Sequence, residues 1–221
     1  MNQKIYKLAI SFADFFLDAE RLLNNAQVEP RIRDALAGYG YDAARFATGM
    51  AYLEAARRSY HQQQDALAAR VAATAAVNES WRAARRSLKP LLALARLAFH
   101  EDIEAQTTLD LGERASSRTA WLAQARRFYQ HLLATPTYLE QLGTYNVTVE
   151  QLTAGLAQLE TLEAHIQAQQ AAQGAAREAL SARNNAIQTL DECLKELRTL
   201  ARIALAADPQ LLEALGIVVR S

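Results

Sequence analysis

The chain has 221 residues, 24 basic and 24 acidic side chains, and only one cysteine, eight glycines and four prolines. One cysteine excludes an intrachain disulfide and a multi-cysteine metal site, and zero net charge argues against nucleic-acid binding through bulk electrostatics. Alanine, leucine, glutamine, glutamate and arginine dominate and favour helices, so we predict an all-α fold.

The N-terminal stretch MNQKIYKLAISFADFFLDAE lacks a continuous apolar segment and reaches acidic residues early, unlike a signal peptide. No run of apolar residues approaches the length of a membrane span. We therefore expect a cytoplasmic protein with no membrane partner, while export without a cleaved signal stays open.

Two short helices are predicted, at about residues 5–25 and 117–134, and a proline follows each of them. The stretches after the two prolines resemble each other at an offset of 106 residues: positions 30–100 align with 136–206 without a gap. Identical pairs include Pro30/Pro136, Leu36/Leu142, Tyr39/Tyr145, Gly49/Gly155, Leu53/Leu159, Asn78/Asn184, Leu88/Leu194 and Lys89/Lys195.

We interpret this similarity as an internal duplication. It predicts two tandem units of helical bundle, residues 1–112 and 113–221, packed as two bundles or as one merged bundle. The two units end alike, since LDLG and LEALG place Gly112 and Gly216 at corresponding points.

Capping residues precede the long helical stretch of each unit. Thr148, with Gln151 three residues later, forms the pattern of a capping box, and Asp42 at the equivalent position is an equally good N-cap.

A tight turn is predicted just before each cap. Gly40 and Asn146 are residue types that tolerate positive φ. We expect Tyr39 and Tyr145 to pack this turn against the bundle, a structural role that we favour over ligand binding.

The long stretches, about 42–104 and 148–206, allow two interpretations. One is a helical hairpin that turns near 61–65 and 170–174, with Asp65 as a cap and Gly174 in the turn. The alternative is a continuous coiled-coil-like helix of about 60 residues, because the heptad pattern never breaks. The hairpin is the narrowly favoured prediction.

One polar residue type recurs at a predicted seam position of the long stretches. A heptad count that includes Met50 and Arg57 places Asn78, and in the other unit Asn184, in this seam. A buried asparagine can fix the register of paired helices at some cost in stability. We therefore predict a structural role for both residues.

The segments WLAQARRFYQHLLATP, YNVT, LARIAL and LEALG, with Asn184 between them, resemble in order a group of uncharacterised bacterial all-helical proteins. The first unit matches with YGYD, Asn78, LARLAF and LDLG. The resemblance covers nearly the whole chain twice and favours the hairpin, and it implies an architecture but no activity.

Catalytic and metal-binding motifs are not recognisable in the sequence. None of the histidines, which are His61, His100, His131 and His165, follows a glutamate by three residues as in di-iron bundles. There is no phosphate-binding glycine loop and no nucleophile elbow. We predict a protein that is not an enzyme and has no cofactor and no metal site.

A basic ridge on a predicted helix is the most specific local feature of the sequence. Arg82, Arg85, Arg86 and Lys89 stand at i, i+3, i+4 and i+7 beside Trp81, whereas the equivalent positions of the other unit include Asp191 and Glu192. These residues form the candidate interaction surface. We expect the basic and acidic sets to pair within the chain or between subunits, ahead of an ordinary solvated surface and, more distantly, nucleic acid.

The sequence therefore predicts a non-catalytic structural or protein-interaction protein that acts through helix–helix association with itself or with another protein. A homo-oligomer fits this prediction. The alternatives are a helical-bundle binder of a small apolar ligand or lipid and, less favoured, an enzyme with a site between the units.

Overall fold

The computed structural model describes residues 11–112 and 115–217, and within these ranges the chain forms helices and no strand. The all-α prediction is confirmed. In chain order the helices are α1 (Phe12–Val28), α2 (Pro30–Ala37), α3 (Ala43–Ala98), α4 (Ile103–Thr108), α5 (Arg118–Ala134), α6 (Pro136–Gly143), α7 (Val149–Ala204) and α8 (Pro209–Ala214).

The two predicted short helices correspond to α1 and α5, and residues 5–10 of the first prediction lie outside the described residues. A serine caps each helix. The Ser11 hydroxyl accepts from the backbone N–H of Asp14 at 3.2 Å, and the Ser117 hydroxyl accepts from that of Ala120 at 3.1 Å. Each cap satisfies one backbone donor that a helix start otherwise leaves unpaired.

Four shorter helices were not predicted from the sequence. In α2 and α6 the proline that follows the preceding helix is itself the first helical residue, where its missing N–H costs nothing. In α4, Asp102 caps the helix by accepting from the N–H of Ala105 at 2.9 Å. These prolines therefore start new helices and do not open extended loops.

The helical hairpin is wrong, and the continuity of the long helices, as in the alternative, is confirmed. Both α3 and α7 run for 56 residues without interruption. Segment 61–65 lies inside α3, where its glutamines are good helix formers and Asp65 is an exposed mid-helix residue. Gly174 lies inside α7, where one glycine costs only about 1 kcal/mol relative to alanine.

The helix boundaries follow the sequence offset. Each of α5 to α8 begins and ends 106 residues after the corresponding helix of α1 to α4. The lengths of 17, 8, 56 and 6 residues therefore occur twice in the same order.

The described chain divides into two compact units, and these do not follow the tandem division after residue 112. Of the described residues, 11–66 and 176–217 belong to unit 1, and 67–112 and 115–175 belong to unit 2. The physical reason is the continuity of the long helices. Each of them is too long to fold back into one unit, so α3 and α7 each contribute to both.

Unit 1 has its own hydrophobic core, in which α1, α2 and α8 pack on the start of α3 and the last part of α7. Its largest fully buried side chains are Leu22, Leu23, Ile32, Leu36, Tyr41, Phe46 and Leu53. Burying a side chain of this size contributes about 1.5–3 kcal/mol. The core therefore forms from chain segments far apart in the sequence.

Unit 2 has a second core, built from α4, α5, α6, the last part of α3 and the start of α7. Phe99, Leu109, Phe128, Tyr129 and Leu132 are its largest fully buried side chains. At the edge of this core, the rings of Trp81 and Trp121 lie with their centroids 4.7 Å apart.

Candidate interaction surface

The turn before each long helix is a Schellman motif. Gly40 has φ 77° and Asn146 has φ 58°. The N–H of Tyr41 donates to the carbonyl of Leu36 at 3.0 Å, and the next backbone bond inward, from Gly40 to Ala37, is also 3.0 Å. This is the hydrogen-bond pattern that satisfies the last carbonyls of a helix.

The structure corrects the role of the two tyrosines in these turns. Tyr39 and Tyr145 are exposed, and the residues buried at the turn are Tyr41 and Val147. In a Schellman motif the residue after the positive-φ position frequently packs back on the helix, and Tyr41 is buried in the same core as Leu36. Tyr39, two residues earlier, points away and remains available for contact.

The turns that follow α4 and α8 also form Schellman motifs. Gly216 has φ 72°, and the residue 106 positions earlier is Asp110, with φ 52°. Gly216 therefore corresponds to Asp110 and not to Gly112, which lies outside the turn. Aspartate tolerates the left-handed region better than most residues, so the motif is kept without glycine.

Both predicted N-caps form. The Asp42 carboxylate accepts from the N–H of Arg45 at 3.0 Å. Thr148 and Gln151 bond reciprocally, each side chain accepting from the other's backbone N–H at 3.3 Å. These contacts fix the residue at which each long helix begins.

The asparagine seam is not formed as predicted. At Ala56 and Val77 the buried residue lies three positions after the first core position of the heptad, and not four as in the predicted seam. Because one residue turns a helix by about 100°, burying Val77 exposes Asn78. Asn184 is half-buried and accepts hydrogen bonds from its neighbour Arg183.

Other polar side chains set the register of α3 and α7 within unit 2. Ser80 Oγ lies 2.6 Å from His165 Nδ1, and the Ser87 hydroxyl donates to Gln158 Oε1 at 2.6 Å. Sequence reasoning missed these pairs because each joins residues more than 70 positions apart. Such interhelical hydrogen bonds fix which face of each helix points outward.

The basic ridge consists of Arg82, Arg85, Arg86 and Lys89 on α3. All four side chains are exposed, and among the described residues none forms a hydrogen bond or an ion pair. Each has two like-charged neighbours in the ridge at i, i+3 or i, i+4, and such a pair destabilises a helix by about 0.2–0.5 kcal/mol.

Trp81 is half-buried next to the ridge and its ring is already occupied. It packs against Trp121 on one side, and the guanidinium of Arg118 lies 5.2 Å from its ring centroid. Trp81 therefore orients the ridge as part of the core of unit 2, and it does not present a free aromatic surface.

The acidic members of the predicted surface have partners on their own helix. Asp191 pairs with Lys195 at 2.5 Å, and the amide of Gln188 donates to Glu192 at 2.9 Å. The side chains at the equivalent positions of α7 therefore attract one another, whereas the side chains of the ridge repel one another. The predicted pairing of ridge and acidic set does not appear in the ion pairs of the described chain.

Each unit also exposes a tyrosine in the turn before one long helix and an aliphatic residue near the end of the other long helix. In unit 2 these are Tyr145 (39% exposed) and Leu97 (56%), and Gln141 ties α6 to the end of α3 by donating to the carbonyl of Ala98 at 2.7 Å. In unit 1 they are Tyr39 (53% exposed) and Ile203 (52%). We call each pair an end patch.

A shallow groove of about 370 Å³ lies in unit 1 beside Cys193. Its lining is largely polar and charged, and Arg45 and Glu196 pair across it at 2.9 Å. Burial raises the pKa of the Cys193 thiol and of the Tyr41 phenol, whose oxygen lies 3.8 Å from the sulfur. Burial therefore favours the protonated thiol, which is a poor nucleophile.

Metal-binding clusters of three or more histidine, cysteine or acidic residues are not found in the described ranges 11–112 and 115–217. Over the same ranges, each helix is too short or too polar to cross a bilayer. Comparison with protein-family models, curated proteins and solved structures finds no match to this chain.

Proposed function

We propose that this chain is a non-catalytic structural or interaction protein that acts through helix–helix association and assembles with copies of itself. The observation that carries the proposal is the occurrence of an end patch in each unit, at positions 106 residues apart. An internal duplication accounts for this spacing, since it would copy a contact surface together with the fold.

Two end patches on one chain allow each copy to contact two others. Tyrosine and aliphatic side chains supply contact area at the centre of interfaces, and tyrosine is enriched at hot spots. Single exposed apolar residues are ordinary, but a tyrosine and an aliphatic residue recur together here. This repetition favours a homo-oligomer over a monomer.

The register bonds of α3 and α7 support the same function. A helix pair whose facing side is fixed by Ser80–His165 and Ser87–Gln158 presents a constant outer surface. The groove beside Cys193, being lined by charged side chains, does not favour the alternative of an apolar ligand or lipid. The bacterial helical proteins that the sequence resembles would then share an architecture suited to association.

Sedimentation velocity over a concentration series tests the proposal. We expect wild type to show species heavier than the 24.4 kDa monomer, and the double variants Tyr145→Ser/Leu97→Ser and Tyr39→Ser/Ile203→Ser to show less of them. The matched control is Leu17→Ser/Val71→Ser, which removes one exposed apolar residue from each unit outside the end patches. Equal effects of control and patch variants would overturn the assignment of the patches.

A further inference from the structure

We infer that the basic ridge is a docking surface for an acidic helix of another protein. This inference rests on the proposed function of helix association, but it does not require self-assembly. The ridge is exposed, unpaired among the described residues and made of four cations within two helical turns. Elsewhere in the described chain, Arg31 and Arg33 are exposed two positions apart, but each of them pairs with an aspartate, Asp208 or Asp34.

The orientation of the ridge is fixed by the opposite side of α3. Ser80 and Ser87 bond to α7, and Trp81 contacts Trp121 and Arg118. Rotation of α3 about its axis would break these contacts. The helix therefore cannot turn the four cations toward acidic side chains of unit 2. The four cations of the ridge therefore repel one another whenever no partner is bound.

The spacing of the ridge fits a helical partner. Its charges occupy positions i, i+3, i+4 and i+7, and they span about 10 Å along the axis. Carboxylates at the same spacing on a second helix would form a row of equal length, and arginine can meet each carboxylate with two parallel hydrogen bonds. The partner that best complements the charges of the ridge is therefore a helix with a row of acidic side chains.

Two observations disfavour nucleic acid as the occupant. Single strands bind by stacking bases on free aromatic rings, whereas the ring of Trp81 is half-buried and contacts Trp121 and Arg118. The net charge of the chain is zero, so the chain as a whole has no excess of positive charge to attract a polyanion.

A second copy of this chain is also disfavoured as the occupant. Its equivalent acidic positions, Asp191 and Glu192, already have Lys195 and Gln188 as partners. The occupant is therefore expected to be a different protein.

Fluorescence anisotropy tests the inference on the full-length chain. The probe is a fluorescein-labelled amphipathic helical peptide of about 20 residues with glutamates at i, i+3, i+4 and i+7, and the control peptide carries glutamine there. Fluorescein-labelled oligothymidylate forms a second arm. We expect wild type to bind the glutamate peptide about tenfold more tightly than either of the other probes.

Two matched variants make the test specific. Arg82→Gln/Arg85→Gln/Arg86→Gln/Lys89→Gln should lose about tenfold in affinity for the glutamate peptide. Arg21→Gln/Arg58→Gln/Arg177→Gln/Arg202→Gln changes the net charge equally at scattered exposed positions, and it should keep its affinity within about twofold. Equal losses in both variants, or tighter binding of oligothymidylate than of the peptide, would overturn the inference.

The outcomes also separate this inference from self-assembly. A chain that remains monomeric and binds the glutamate peptide through the ridge contradicts self-assembly and supports the docking surface. A chain that assembles but binds both peptides equally contradicts the docking surface alone.

Discussion

Gly155 of α7 lies directly against the phenol of Tyr129 of α5, so closely that a Cβ at position 155 would overlap the ring and its oxygen. The same relationship occurs 106 residues earlier, where a Cβ at Gly49 would lie 2.8 Å from Cδ2 of Leu23. In each unit a glycine therefore lets a short helix approach a long one.

This close approach predicts that Gly155→Ala destabilises the protein by about 2–3 kcal/mol, because a methyl group would have to displace a rigid buried ring. Gly49→Ala should cost less, since a leucine side chain can adjust. Gly174→Ala is the matched control: position 174 has open space, so alanine should stabilise α7 by about 1 kcal/mol. Urea denaturation measures all three, and equal losses at 155 and 174 would contradict the geometry.

The hydroxyl of Tyr129 gives a second prediction. It is fully buried and has no hydrogen-bond partner at ordinary distance and angle, and the nearby Ser87 hydroxyl donates to Gln158. Tyr129→Phe should therefore leave the unfolding free energy unchanged or raise it by up to about 1 kcal/mol, since an unsatisfied buried donor is removed. A loss larger than about 1 kcal/mol in urea denaturation would show that the hydroxyl has a partner.

The sequence predicted the helical class and the helix starts because those features are local. The Asp42 and Thr148 caps depend on residues three positions apart, and the positive φ of Gly40 and Asn146 depends on residue type. The close approach of Gly155 to Tyr129 is a long-range contact between two helices, and no local pattern indicates it.

The hairpin and the asparagine seam were predicted wrongly for physical reasons. Segment 61–65 is compatible with either a turn or a helix, and only the packing of two cores along α3 decides between them. The second core position of a heptad can lie three or four residues after the first. The prediction used four, and this placed Asn78 in the seam where the structure buries Val77. The spacing of the four basic residues predicted the ridge. The sequence did not indicate that they have no ion-pair partners among the described residues.

Alkaline pH should weaken the protein through Tyr41 and Cys193. Burial raises the pKa of both groups, so both keep their protons in the folded state at a pH where the unfolded chain loses them. The corresponding stability is complete below pH of about 8.5 and declines as the pH rises. The unfolding free energy of wild type should fall more steeply between pH of about 9 and 11 than that of Tyr41→Phe/Cys193→Ala, and parallel curves would contradict this.

The basic ridge should lower the stability of the free protein. Replacing Arg82, Arg85, Arg86 and Lys89 together by glutamine removes the like-charge pairs and should raise the unfolding free energy by about 1 kcal/mol at low salt. Lys195→Gln breaks the attractive pair with Asp191 at 2.5 Å and should lower it by about 0.3–0.5 kcal/mol. Thermal unfolding at low and high salt measures both effects, and a destabilised ridge variant would contradict the account.

The central claim, association of the chain with itself through the end patches, is tested most directly by light scattering in line with size exclusion, over a range of loading concentrations. The account predicts a weight-average mass that exceeds 24.4 kDa and rises with concentration. A mass of 24.4 kDa at every concentration would contradict it.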